Sequence, residues 1–359
     1  MVQAAIGREQ LCSRVPDFFV VGQAKSGTTA LYEMLRTHPS IFMPAVKEPR
    51  YLASDAFVRQ ARFSPGIEAD GYAALFGGAA SDQGSDSALS HDLYAREAQR
   101  AVSGIETLTQ YLALFEPAEP GQLLGEASPR YLPSRAAPKA IAALNPGART
   151  VAIFREPASF LRSLHLQRVQ SGQETSPDLS SALRLDLVAS GRQHDPAFTY
   201  SDVNYWSRIQ YTEQLRRYHA VLPREQTLNL IYDDFRDDNE ATVRLVLAFL
   251  GVDPSVPMTS LKANPTIGVR SIGLREAAYR VRDGRGSPAA TATNKVVKSI
   301  MPRLARRWLL RTAEDRVLYT RSPQIDEEVM AEIRRQARPE VERFSQQMGR
   351  DLLALWKYD

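Results

Sequence analysis

Two groups of residues in this chain have the types and spacing to hold an anion. The first is Lys25-Ser26-Gly27-Thr28-Thr29, directly after an apolar run. A helix that starts at the threonines offers free N–H groups and a positive dipole end, where an anion fits. Lys25 adds a full charge and three hydroxyls add donors. Gly22 and Gly27 let the backbone turn and come close to a ligand. The second group is Arg155, at the end of another apolar run, with Ser163 eight residues on. That spacing is about two helical turns. An arginine's planar fork of donors suits a phosphate, and Arg155 and Ser163 can converge on one. The chemistry in prospect is the capture of two phosphate or sulfate groups.

Both groups also have plain structural readings. Lys25 could be a solvated residue on an ordinary strand-to-helix turn, and Arg155 could pair with Glu156 beside a surface serine. The usual nucleotide-triphosphate loop does not apply, because it places Lys directly after its second Gly. Here Lys25 lies two residues before Gly27, and no other such loop occurs in the chain.

The elements that must carry these residues follow from the hydrophobic pattern. Residues 17–22, 41–43, 123–127, 150–155 and 227–232 read as short strands. Helical stretches stand between or after them, at about 30–37, 134–144, 157–171, 203–221 and 242–250. His38-Pro39 stops the first, and Pro157 suits the first turn of another. The alternation predicts an α/β fold with a mostly parallel central sheet and helices on both faces. Both anion motifs then follow the C-terminal ends of strands, where such sheets bind ligands. Residues 1–16 read as a loose arm and residues 17–359 as one α/β domain. Within it lie a variable insertion at about 53–110 and a helical tail at about 300–359. Residues 77–87 and 284–293 are Gly/Ser-rich or small-residue loops. Two similar pentapeptides at 72–76 and 111–115 do not make a repeat. Val329, Ile333, Val341 and Phe344 form a helical stripe in the tail that reads as core packing.

With 359 residues the chain can bury a sizeable core. Its net charge is only +4, so the total does not call for nucleic acid. The charge is uneven: residues 268–316 hold twelve Lys/Arg against four Asp/Glu. That stretch suits an anionic ligand or a membrane surface, or it is a solvated helix face. The single Cys12 excludes an internal disulfide and gives no metal pattern. No segment reaches transmembrane length and no secretory leader is visible, which predicts a cytoplasmic protein. The Ala- and Arg-rich composition suggests a bacterial source.

The Lys-Ser-Gly-Thr-Thr order resembles the 5′-phosphosulfate loop of sulfotransferases that use 3′-phosphoadenosine 5′-phosphosulfate (PAPS). Arg-x-Pro followed by Ser163 resembles their 3′-phosphate site. Gly125-Glu126-Ala127-Ser128-Pro129-Arg130-Tyr131-Leu132 resembles a segment of the bacterial and glycan-modifying branches. Residues 229–235 and the helix ending at Gly251 resemble a late strand and helix of the family. The likeness covers roughly residues 17–275.

The resemblance implies transfer of a sulfuryl group from PAPS to a hydroxyl or amine of a carbohydrate, glycolipid or natural-product acceptor, with no metal. Lys25, helped by loop N–H groups through Thr29, would neutralise the leaving 5′-phosphate, with Ser26, Gly27 and Thr28 in the same loop. Arg155 and Ser163 would anchor the 3′-phosphate. Arg270, in a late loop, is the candidate to cover the nucleotide, and Tyr205 either packs near the adenine or is a core aromatic. A base must take the acceptor proton. The small-molecule branch uses a His within the segment matching residues 125–132, where this chain has none. The glycan branch uses a Glu after the second strand, which maps to Glu48; its structural alternative is a surface carboxylate paired with Lys47 or Arg50. Lys47, Ser128 and Arg130 are acceptor-side candidates. His38 and His165 read as structural. Two other readings remain open here: a non-catalytic 3′-phosphoadenosine 5′-phosphate binding protein and an atypical P-loop kinase.

Overall fold

The structure, a computed structural model, describes residues 15–53, 105, 107–171, 173–174, 176, 178–191, 204–257, 267–269, 319–321 and 326–358. Arg270, most of the 53–110 insertion and much of the basic 268–316 stretch lie outside these residues.

Five short strands build the central sheet: β1 (Phe18–Gly22), β2 (Ile41–Phe42), β3 (Leu123–Ala127), β4 (Arg149–Phe154) and β5 (Thr227–Ile231). Their order is β2-β3-β1-β4-β5 and every pairing is parallel. β1 is central because all five of its residues are buried, as a strand covered on both faces requires. Phe18 and Val20 join a cluster with Leu31, Leu35, Val243 and Leu247, from helices α1 (Thr28–Arg36) and α8 (Asn239–Leu250). Phe19 points the other way and meets Tyr131, ring centroids 6.4 Å apart. Alternate residues of one apolar run thus feed two different layers.

The second layer includes α2 (Leu108–Ala113), which opens with a capping box between Thr107 and Gln110. α3 (Ala137–Leu144) follows β3. α6 (Tyr211–His219) presents Tyr211 to Phe154 and to Phe344.

The chain forms two compact units. The first, Met1–Glu156, Gln193–Ala263 and Glu340–Trp356, holds the sheet. The second, Pro157–Arg192, Asn264–Pro339 and Lys357–Asp359, holds α4 (Pro157–Ser171), α5 (Leu179–Gly191) and the antiparallel pair β6 (Ile267–Val269) and β7 (Tyr319–Arg321). α9 (Glu327–Met348) contributes its first residues to the second unit and those from Glu340 onward to the first; α10 (Leu352–Trp356) follows.

Several elements differ from the pattern. The expected helix over 203–221 is a 3-10 turn, Trp206–Ile209, then α6, broken at Gln210 where ψ is 63°. The tail breaks at Gly349, φ 61°. An unexpected helix, α7 (Tyr232–Asp237), starts directly at the end of β5. Its Asp233 accepts from the Trp356 indole at 3.0 Å, and its Asp234 is paired with Arg350. The tail holds α7 in place, which no local propensity of residues 232–237 reveals.

Candidate functional site

In an all-parallel sheet the C-terminal ends of all strands share one edge. The segments after β1, β3 and β4 therefore lie side by side there. Backbone bonds confirm it: the Gln23 N–H donates to Ile153 O at 2.8 Å and the Leu132 N–H to Val21 O at 2.7 Å.

After β1 the chain turns through Lys25, φ 63°, and Gly27, φ 83°, into α1. Gly27 is the N-cap and no side chain caps the helix, so its end is open to an anion. Only glycine fits at this point. A Cβ on Gly27 would come within 2.7 Å of the Phe235 ring, in a backbone region that side chains avoid. Ser26 is fully buried and its weak contacts run to Gln23 and Ala24.

Arg155, just past β4, donates to the backbone carbonyl of Lys25 at 2.9 Å. Its guanidinium sits 4.8 Å from the centroid of the Tyr232 ring, a cation–π contact. Tyr211 donates to the Arg155 carbonyl at 2.8 Å and receives a bond from the Gln23 amide at 3.1 Å. Burial lowers the pKa of Lys25, and the nearby Arg155 lowers it further. Burial also lowers that of Arg155, against the pull of Tyr232, Glu156 and Asp233. Among the described residues neither cation makes an ion pair within 4 Å. Two partly desolvated cations side by side without a carboxylate between them make a site that an anion would relieve.

Ser163 belongs to the second unit, on α4. It is buried, and among the described residues its hydroxyl has no hydrogen-bond partner. Thr28 is buried and Thr29 exposed.

The acceptor-side candidates gather after β2 and β3. Glu48 and Arg50 both take left-handed backbone, φ 60° and 57°. The Glu48 carboxylate lies between Lys47 at 2.9 Å and Arg50 at 2.5 Å. Burial alone would raise its pKa, but the two cations outweigh burial and hold it well below the ordinary carboxylate range. The Glu48 N–H donates to Ala127 O at 3.0 Å, and the Arg50 N–H to the buried Ser128 hydroxyl at 3.0 Å. Arg130 is half-buried in the turn that follows Ser128 and has partners of its own. His38 is a structural residue at the end of α1: Nε2 lies 2.9 Å from Asp253 O and Nδ1 accepts from Ser40 N–H at 3.2 Å. Tyr205 and His165 are buried. Among the described residues no group of three or more His, Cys, Asp or Glu could hold a metal, and no helix is long and apolar enough to cross a membrane.

Several residues here escaped the sequence reading. Tyr232 and Tyr211 could not be found from spacing, because each reaches Arg155 from a distant part of the chain. Glu126 did leave a signal: a carboxylate in the middle of an apolar strand must have a partner or a protonated state.

The fold is a parallel sheet flanked by helices, with the Lys25 loop and Arg155 at the C-terminal edge of its strands. The sulfotransferase family profile matches residues 16–255, and the chain belongs to that family. Human carbohydrate sulfotransferase 15 is 44% identical over 43 residues, which cover 12% of this chain and 8% of that protein. The bovine bifunctional heparan sulfate N-deacetylase/N-sulfotransferase 2 is 22% identical over 252 residues, 70% of this chain and 24% of that one. The chain thus spans a quarter or less of these relatives' length. A crystal structure of a sulfotransferase from Alicyclobacillus acidocaldarius shares the fold, with TM-score 0.59 and 20% identity over 96% of this chain and 99% of that one.

Proposed function

We propose that the protein moves a sulfuryl group from PAPS to a hydroxyl or amine of a carbohydrate, glycolipid or natural-product acceptor. The observation that carries this is the Lys25–Arg155 pair, two half-buried cations close together that make no ion pair within 4 Å among the described residues, beside an open helix end. When bound, PAPS supplies the activated sulfuryl group and a stable phosphate leaving group. The relatives whose names contain carbohydrate and heparan sulfate favour a glycan acceptor.

Lys25 and the N–H groups through Thr29 neutralise charge that grows on the 5′-phosphate, with Ser26, Gly27 and Thr28 shaping the cradle. For the 3′-phosphate the reading keeps Arg155 and Ser163, on sequence grounds, and Arg270 as the cover of the nucleotide. Glu48 takes the acceptor proton. Lys47 and Arg50 keep it ionised at any working pH but make it a weak base. That suffices where the transition state is loose and the acceptor proton is released late, as in the related phosphoryl transfers. Lys47, Ser128 and Arg130 line the acceptor side. The cytoplasm, where a soluble donor would be met, is the proposed location.

Titration calorimetry with 3′-phosphoadenosine 5′-phosphate, beside ATP–Mg²⁺, tests the donor. Binding of the former alone, lost in Arg155→Ala, is the expected result. Preference for ATP–Mg²⁺ would point to a kinase instead. A second reading, a protein that binds the nucleotide without turning it over, needs no base. Loss of activity in Glu48→Gln with nucleotide binding intact would dismiss it.

A further inference from the structure

The segment that carries Glu48 has an awkward backbone, with two non-glycine residues in the left-handed region. Something must hold it. Four contacts do, and all come from elements that converge on one buried carboxylate. The Glu48 N–H and Arg50 N–H bond to Ala127 O and to the Ser128 hydroxyl, the residues directly after Glu126. The Leu52 N–H donates to the Tyr131 hydroxyl at 3.2 Å. The Tyr51 ring stacks on the Tyr111 ring, centroids 4.9 Å apart and planes 17° from parallel. Tyr111 and Tyr131 then each donate to the same oxygen, Glu126 Oε2, both at 2.8 Å.

Glu126 is fully buried. The Tyr131 hydroxyl has one proton and spends it on Glu126 while it accepts from Leu52. Without Glu126 that proton has no acceptor, and the ring that receives Leu52 loses its fixed position. Tyr111, on α2, loses its anchor in the same way. A buried carboxylate is a costly means of filling space, and an apolar side chain would pack there more cheaply. Its return is geometric: one oxygen sets two rings, and the rings set the irregular segment on which Glu48 and Arg50 ride. The charged or titratable groups that face it are Tyr111, Tyr131 and, more distantly, Glu48, with the Ser128 hydroxyl beside them.

We infer that Glu126 is a positioning residue for Glu48, acting through Tyr131 and Tyr111 on residues 48–52. This rests on the reading of Glu48 as the base. Three consequences distinguish it from a mere core staple. Glu126→Leu removes the acceptor for both hydroxyls and should lower kcat by roughly tenfold to a hundredfold, the scale of a reacting group misplaced by about 1 Å. The affinity for 3′-phosphoadenosine 5′-phosphate should stay unchanged, because the Lys25–Arg155 pair does not touch Glu126. Glu126→Gln keeps an amide oxygen for both tyrosines and should restore most of the rate.

The experiment follows radiolabelled sulfuryl transfer from PAPS to desulfated heparin oligosaccharides, and to water without acceptor. It compares wild type, Glu126→Leu, Glu126→Gln, Glu48→Gln and the Glu48→Gln/Glu126→Leu double variant. Amide hydrogen exchange at residues 48–52 is measured on the same full-length samples. A positioning role predicts that Glu126→Leu costs nothing further once Glu48 is already Gln, and that exchange at Arg50 and Leu52 rises while that of the Lys25 loop does not. Additive losses, a changed nucleotide affinity with kcat intact, or unaltered exchange would overturn it. If Glu126→Leu fails to fold, Tyr131→Phe cuts the same link with the ring retained and is read by the same criteria. A wild type that neither binds the nucleotide nor turns over PAPS sinks the proposed function; the exchange data then still decide whether Glu126 positions the segment.

Discussion

The guanidinium of Arg155 is bonded to the backbone of Lys25 rather than to a carboxylate, 2.9 Å from its carbonyl oxygen. One cation therefore shapes the loop that carries the other. The two motifs, 130 residues apart in the chain, are one construction. Arg155 fixes the left-handed turn at Lys25, and Tyr232 backs Arg155 from the third neighbouring strand end.

Loss of either cation should have a distinct signature. Lys25→Ala should lower kcat by about a hundredfold or more, since it stabilises charge that develops during transfer. Arg155→Ala should chiefly weaken nucleotide binding, with a smaller fall in kcat from the relaxed Lys25 turn. Steady-state kinetics beside calorimetry separates the two; equal behaviour of both variants, or none, contradicts the assignment.

Gly27→Ala should be damaging out of proportion to one methyl group. The new Cβ meets Phe235 at 2.7 Å in a backbone region with φ 83°. A cost of about 1–3 kcal/mol in stability is expected from overpacking and strain together. Chemical denaturation should show the loss, and nucleotide affinity should fall with it.

Glu48 owes its low pKa to Lys47 and Arg50. Lys47→Met removes one of these cations. The Glu48 pKa should rise toward the ordinary carboxylate value, so an acid limb that lies below the working range in the wild type should come closer to it, and Lys47→Met should lose more of its rate than the wild type at the acid end of the profile. An equal acid sensitivity of the two proteins would mean that Glu48 is not the group that must be ionised.

Glu126 behaves in the opposite sense. Burial pushes its pKa up to about 7, although bonds from Ser128, Tyr111 and Tyr131 pull it back in part. An acid with a raised folded pKa binds more protons in the native than in the unfolded state. Stability then falls as pH rises from the unfolded value to the folded one, and the loss is complete above about 7. The size is on the order of 3 kcal/mol. Glu126→Gln cannot ionise, so its melting temperature should vary less than that of wild type between pH 5 and 8. Parallel curves for the two proteins would refute a raised pKa.

Much of the fold was legible because its signals are local. A run such as Phe-Phe-Val-Val reads as a covered strand whatever lies around it. Pro157 and Gly251 mark helix ends by their own backbone limits, and Gly251 does end α8 with φ 75°. The alternation of strands and helices implies a parallel sheet because crossovers need helices. The break at Gln210 and the helix at Tyr232 were not legible. Both depend on what the tail and α6 pack against, and neither carries a propensity strong enough to announce itself.

The candidate site divides in the same way. Lys25, Gly27 and Arg155 announce themselves by type and by their place after strands. The sequence alone thus determined the family and the strand ends that bear these residues, because both depend on residues close together in the chain. Tertiary structure alone decided that Arg155 grips the Lys25 turn over Tyr232, that Glu48 is held between Lys47 and Arg50, and that Glu126 gathers Tyr111 and Tyr131 beneath it. Those facts arise from side chains brought together by the order of strands in the sheet. The balance of desolvation against nearby charge, which sets each group's protonation, exists only once that order is made.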